Sequence, residues 1–163
     1  MSIKLMILKV LIVDNTLADR KLYEMYVETT FKHVKAAYTH CSNARDAYMA
    51  IDQYKYDLAL VEVSLLSRGF DTQGMAIVNA IRASEKNKDI AIIAFSNNSG
   101  HEEVVENAAI DAYIYKNDEN QSPREMFVDK APEALLKAAD RAPKDYLLLL
   151  HNMGIIWVPD LET

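Results

Sequence analysis

Residues 56–62, Tyr-Asp-Leu-Ala-Leu-Val-Glu, decide the fold. Leu58-Ala59-Leu60-Val61 is apolar without alternation, the pattern of a strand covered on both faces, and Glu62 ends it with a carboxylate. Upstream, Lys9 to Val13 is a second β-rich run, closed by Asp14-Asn15-Thr16, and Val34 to Tyr38 is a third. Downstream, Ile90 to Phe95 and Ala112-Tyr113-Ile114-Tyr115 supply two more. Between these runs, apolar residues recur at helical spacing. They are Leu22, Met25 and Tyr26; then Ala44, Ala47, Tyr48 and Ile51; then Gly74, Ile77, Val78 and Ile81; then Val104, Val105 and Ala108. Thr16 is expected to cap the first helix, with Asp19 favouring its positive start. Five βα units in series predict an α/β, doubly wound, five-stranded parallel sheet with helices on both faces.

After Lys116 the rhythm changes. Asn117 to Pro123 is polar and turn-like, and residues 117–131 read as a polar insert. Pro132 and Pro143 are expected to open two helices, around 132–142 and 144–152, with Gly154 breaking the second. Ile155-Ile156-Trp157-Val158 forms an apolar tail ended by Pro159. The expected division is one domain over 1–142, compact from about residue 7, and a helical and apolar appendage over 143–163. The preferred reading of the appendage is that it folds back onto the core; the alternative is a dimer or partner surface.

The 163 residues carry 18 Lys+Arg against 24 Asp+Glu, a net charge of −6, and half of them are hydrophobic. That is the composition of a soluble globular domain and argues against a general nucleic-acid binder. The single cysteine, Cys41, excludes an internal disulfide, and with no basic neighbour beyond His40 it reads as an inert thiol. His33, His40, His101 and His151 share no ligand spacing and read as solvent-facing or interface groups. Lys9 and Asp14 interrupt the apolar N-terminus, which is far short of the roughly 20 residues of a membrane span. A cytoplasmic protein is expected. Neither a G-x-S-x-G turn nor a glycine-rich phosphate loop occurs, so those hydrolase and nucleotide-binding classes have no support.

In an open parallel sheet, chemistry gathers beyond the carboxyl ends of the strands. There stand Asp14 and Asn15, Glu62, Ser96 and Lys116. With strand order 2-1-3-4-5, Asp14 and Glu62 share one pocket, opposed by the Lys116 ammonium and the Ser96 hydroxyl. Such a set suits a hydrated divalent cation and a phosphoryl group.

The segments LIVDN (11–15), YDLALVEVSLL (56–66), IIAFSNN (92–98) and DAYIYK (111–116) together resemble the receiver domain of response regulators. The resemblance implies a flavodoxin-like fold and a signalling protein whose site takes a phosphoryl group from a histidine kinase. Asp14 and Asn15 then match the acidic metal-binding pair and Glu62 the phospho-acceptor. Ser96 and Tyr113 match the switch hydroxyl and switch aromatic, and Lys116 the lysine that contacts phosphate.

Several positions depart from the family pattern. Glu62 replaces the acceptor aspartate, moving its carboxylate by roughly 1 Å where in-line transfer needs placement of about that precision. Asn15 removes a charge from the cation pocket, so no cofactor beyond weak Mg²⁺ is expected. Ser64-Leu65-Leu66 stand where Met-Pro is usual, Asn97 where a small alanine leaves access, Ala109 for a glycine and Asn117 for a proline. These changes imply a pseudo-receiver, a non-enzyme working by protein–protein contact. Either Glu62 imitates the phosphorylated state or the domain is a fixed scaffold, the latter being preferred because one carboxylate only partly replaces a phosphoryl group. The alternatives are a phosphorylatable receiver with Mg²⁺, an enzyme using Asp14, Glu62 and Lys116 on a small phosphate substrate, and an oligomerising structural subunit. Expected partners are a histidine kinase or another signalling protein, or a second copy docked through the strand 4–helix 5 face or the tail. About 20 residues beyond the fifth helix are too few for an output module.

Overall fold

The computed structural model describes residues 6–64, 73–97 and 107–157. Five strands form one parallel sheet: β1 (Ile7–Val13), β2 (Lys35–Cys41), β3 (Leu58–Glu62), β4 (Ala91–Ser96) and β5 (Ala112–Tyr115). Their order is β2-β1-β3-β4-β5. The expected flavodoxin-like topology is therefore present, with helices α1 (Leu17–Thr30), α2 (Ala44–Gln53), α3 (Gln73–Ala83), α4 (Pro123–Arg141) and α5 (Pro143–Asn152) among the described residues. The helix expected from Val104 and Val105 lies outside the described residues.

The unbroken apolar runs are unbroken because both sides of the sheet are covered: all of β3 and β4 is buried. One side packs against α1, α4 and α5 through Leu8, Val10, Leu60, Phe95, Phe127 and Tyr146, among others. The other packs against α2 and α3 through Leu11, Val61, Ile77, Ile81, Ile92 and their neighbours. Gly74, at the start of α3, lies so close to β3 that a Cβ would collide with the backbone of Val63 and meet the Glu62 carbonyl at 2.6 Å.

Three local expectations are corrected. On α1 the inward face is Tyr23 and Val27, while Leu22 and Met25 are exposed. Of the expected stripe only Tyr26 packs on the core, because Tyr23 can bury a ring and still find a partner for its hydroxyl. Tyr48 of α2 is likewise exposed, and Ala50 is buried with Ala47 and Ile51. The largest difference is α4, a single helix from Pro123 with Pro132 inside it, not a polar insert followed by a helix from 132. Ser122 caps its start: the Oγ accepts from the Glu125 N–H (3.2 Å) and donates to the Glu125 carboxylate (3.1 Å), with Pro123 in the first turn.

At the opposite end of the sheet from the candidate site, buried Asp111 binds Arg141 through both carboxylate oxygens (2.7 and 2.8 Å) and Arg82 at 3.1 Å. This knot ties α3 and α4 to the start of β5. Helix α5 closes the same end. Tyr146, 1% exposed, donates its hydroxyl to the Asp57 carbonyl (2.6 Å) and accepts from the Ala91 N–H (3.3 Å), linking β3 to β4. Leu149 and Leu150 are buried with it. Gly154 ends this last turn with φ +75°, a conformation that favours glycine, and Ile155 and Ile156 pack on the core while Trp157 is exposed. Tyr146→Phe is expected to lower unfolding stability by about 1–2 kcal/mol, since it strips a partner from buried backbone groups. Urea denaturation checks this; an unchanged midpoint would mean that α5 does not clamp the strands.

Candidate functional site

Strand register assembles the site. Val13 pairs with Val61, so Asp14 and Glu62 leave adjacent strand ends, and Glu62 itself pairs with Phe95, one residue before Ser96. The Lys116 N–H bonds the Ser96 carbonyl at 2.8 Å, which brings the end of β5 alongside. Asp14, Glu62, Ser96 and Lys116 thus meet at one rim of the sheet, as the residue pattern predicts.

Lys116 is the centre of this rim. Its side chain is 11% exposed, and its ammonium contacts Asp14 Oδ2 (3.0 Å), Asp19 Oδ2 (3.0 Å) and Glu62 Oε2. It also lies 5.3 Å from the centre of the Tyr23 ring, within range of a cation–π attraction. Burial alone would push this ammonium towards losing its proton. Glu62, Asp14 and Asp19 outweigh that cost and hold its pKa above the ordinary lysine range. Burial pushes the Glu62 carboxyl up, against the opposing pull of Lys116 and of the Ser64 N–H, which donates to Glu62 Oε1 at 2.9 Å.

Asp14, 1% exposed, is engaged on both oxygens: Oδ1 accepts from the Thr16 N–H (2.9 Å) and hydroxyl (3.1 Å), and Oδ2 from the Tyr23 hydroxyl (2.7 Å) as well as Lys116. Thr16 therefore does not cap α1 through its side chain; it binds Asp14 instead. The Tyr23 phenol is raised by burial and by the Asp14 and Glu62 charges, and its ring stacks on Phe95 at 4.2 Å. Asn15 is exposed on the same turn. Ser96 is buried with its Oγ 3.2 Å from Ser64 Oγ, and it hydrogen-bonds Tyr113, whose phenol is nevertheless raised by burial.

Asp19, Tyr23 and Ser64 are the site residues that the family pattern does not name. The first two were legible as spacing: Asp19, Tyr23, Val27 and Phe31 recur every fourth residue, the face of α1 that points at the pocket and then the core. A further brace lies behind them. Arg20 donates from Nη1 to the Asp14 carbonyl (2.7 Å) and from Nε to His40 Nδ1 (3.2 Å), and His40 Nε2 lies 2.8 Å from Glu24 Oε1. An arginine N–H can only donate, so His40 Nδ1 accepts and Nε2 carries the proton towards Glu24. His40 is thus a half-buried structural group and not a solvent-facing one, whereas His33 is exposed. His101 lies outside the described residues.

No protein-family model matches the chain, and no curated protein matches it in sequence. Solved structures do. It is similar to a signal receiver domain of a two-component histidine kinase from Clostridium thermocellum (15% identity over 78% of this chain and 96% of that one, TM-score 0.64). It is also similar to a CheY-like response regulator receiver domain from Methanospirillum hungatei JF-1 (20% identity, 84% and 100%, TM-score 0.62). A third is the receiver domain of the sensor histidine kinase PA1611 from Pseudomonas aeruginosa PAO1, with a magnesium ion in its active-site cleft (21% identity, 68% and 86%, TM-score 0.53). The fold is that of CheY-like response regulator receiver domains, modules of two-component signalling.

The donor set here does not fit a divalent cation. An ammonium stands among the acids, both Asp14 oxygens are engaged by donors, and Asn15 brings no charge where a hard cation prefers oxyanions. Among the described residues, no group of three or more His, Cys, Asp or Glu side chains is arranged to hold a metal ion, and no helix is long and apolar enough to cross a membrane.

Cys41, at the end of β2, is buried, and burial together with the Asp46 charge pushes its thiol up to about 11, with Arg20 pulling weakly the other way. The folded thiol keeps its proton where the unfolded one, at about 9, begins to lose it. The native state then binds more protons, so stability falls as pH rises through that window. From pH 9 to 10 this loss is about 1 kcal/mol, and Cys41→Ala should remove it from the pH profile of chemical denaturation. Identical slopes for the two proteins would place the thiol in water.

Proposed function

We propose that this protein is a receiver-like signalling module that works in the cytoplasm by binding another protein and does not pass through a phosphorylated state at Glu62. The observation that carries this reading is the Lys116 cluster, in which one ammonium contacts three carboxylates. Phosphoryl transfer needs a free carboxylate oxygen in line with the phosphorus and a cation to gather the charge of the transferring group. Glu62 offers neither oxygen freely: Oε1 accepts from the Ser64 N–H, and Oε2 is paired with Lys116. Its extra methylene, the engaged Asp14 and the neutral Asn15 work in the same direction.

Of the two versions of a pseudo-receiver, the fixed scaffold is better supported. Glu62 does take a position beside Lys116, but the charge it brings is already shared with Asp14 and Asp19. The Ser96 hydroxyl is held by Ser64 and Tyr113. A homodimer through the C-terminal segment is the second docking reading, favoured by the exposure of Leu147, Leu148 and Trp157.

The test is incubation with an acyl phosphate and Mg²⁺, followed by intact mass. The wild-type chain is expected to stay unmodified, and calorimetry to show no millimolar Mg²⁺ binding. Asn15→Asp with Glu62→Asp, which restores both acids and shortens the acceptor, is expected to gain label. A hydroxylamine-labile phosphoryl group on wild-type Glu62 would overturn the reading.

A further inference from the structure

Beside the Lys116 cluster, between α1 and the turn after β5, lies a cleft of about 220 Å³. Leu22, Tyr26 and Pro123 form its apolar walls, and Asn97 and Asn117 form its rim. Asp19, Lys116 and Tyr23 complete its lining, with the Lys116 ammonium over the Tyr23 ring. We propose that this cleft is a binding site for an arginine side chain carried by a partner protein. The proposal rests on the protein-binding reading above and names the chemistry of the contact.

Charge decides the sign of the ligand. Asp14, Asp19 and Glu62 surround a single ammonium. With all four groups ionised the floor carries an excess of two negative charges, so it repels an anion despite the lysine and attracts a cation. Asp19 is the group able to meet that cation. One of its oxygens is bound to Lys116, the other is outside that ion pair, and its side chain is 32% exposed while those of Asp14 and Glu62 are at most 2% exposed.

Shape and hydrogen bonding select arginine over other cations. Asn117 spends an amide N–H on the Asn97 carbonyl (3.0 Å), which leaves its own amide oxygen as an acceptor at the rim. A carboxylate oxygen from α1 and an amide oxygen from the turn after β5, both lining the cleft, suit a planar fork of N–H donors better than a compact ammonium. The half-exposed Tyr26 ring offers a face for the guanidinium, and Leu22 and Pro123 offer apolar surface to its three-carbon stem. The exposure of Leu22, costly on a helix with no partner, is accounted for by the same contact.

The test uses the full chain and three small probes: Nα-acetyl-arginine amide, its lysine counterpart and its neutral citrulline counterpart. Binding is read from the side-chain amide signals of Asn97 and Asn117 and the backbone amides of Asp19 and Tyr26 in ¹H–¹⁵N NMR. Arginine amide is expected to shift these signals saturably in the millimolar range, with lysine weaker and citrulline silent. Asp19→Asn should weaken the arginine response at least about tenfold, the loss of one charge-assisted contact. Asn117→Asp, which adds a carboxylate at the rim, should strengthen it. Equal responses to arginine and citrulline, shifts spread over other surfaces, no saturation, or a response to inorganic phosphate at the same signals would each overturn the proposal. Those outcomes leave the scaffold reading standing if wild-type Glu62 resists phosphorylation, whereas labelling of Glu62 overturns that reading whatever the arginine result.

Discussion

An ammonium withdrawn from water costs several kcal/mol unless opposite charges meet it at close range. Lys116 is withdrawn, and three carboxylates from three elements meet it: Asp14 from the end of β1, Asp19 from the first turn of α1 and Glu62 from the end of β3. The rest of the site follows from that requirement. Tyr23 fills the space under the ammonium and completes Asp14, Ser64 completes Glu62, and Arg20 fixes the Asp14 backbone from the far side. Removing the lysine alone would leave buried carboxylates facing one another, so the cluster stands or falls as a unit.

This unit also sets what the site can do. A pocket that receives phosphate needs a cation between its acids and an acceptor able to approach phosphorus; here the acids are held by a covalently tethered cation and by hydrogen-bond donors. What remains accessible is the outer edge of the cluster, at Asp19 and the cleft beside it. On the proposed reading, that edge makes the site one for recognition and not for group transfer.

The sheet was readable from the sequence because its central strands β3 and β4 are buried on both faces and so appear as apolar runs, Leu58 to Val61 and Ile90 to Phe95. The helices were harder. On α1 the more hydrophobic stripe, Leu22 and Met25, faces water, and the buried one uses Tyr23, whose hydroxyl is spent on Asp14. Hydrophobicity alone cannot see that trade. At α4 the proline at 132 suggests a helix start, whereas the helix begins at Pro123, where the Ser122 hydroxyl caps the Glu125 N–H. The pocket was legible wherever it depends on strand ends, as with Asp14, Glu62, Ser96 and Lys116. Asp19 shares the every-fourth-residue face of α1 with Tyr23, whereas Ser64 and the Arg20–His40–Glu24 brace depend on side-chain reach between elements, which spacing along the chain does not encode.

The most direct measurement of the central claim is the ¹⁵Nζ resonance of Lys116 and the exchange rate of its ammonium protons with water near neutral pH. A lysine gripped by Asp14, Asp19 and Glu62 should give a resolved signal with protons exchanging far more slowly than those of exposed Lys32 or Lys35, and both Asp19→Asn and Glu62→Gln should shift it. Exchange as fast as at the exposed lysines, or a signal indifferent to both substitutions, would contradict the account at its root.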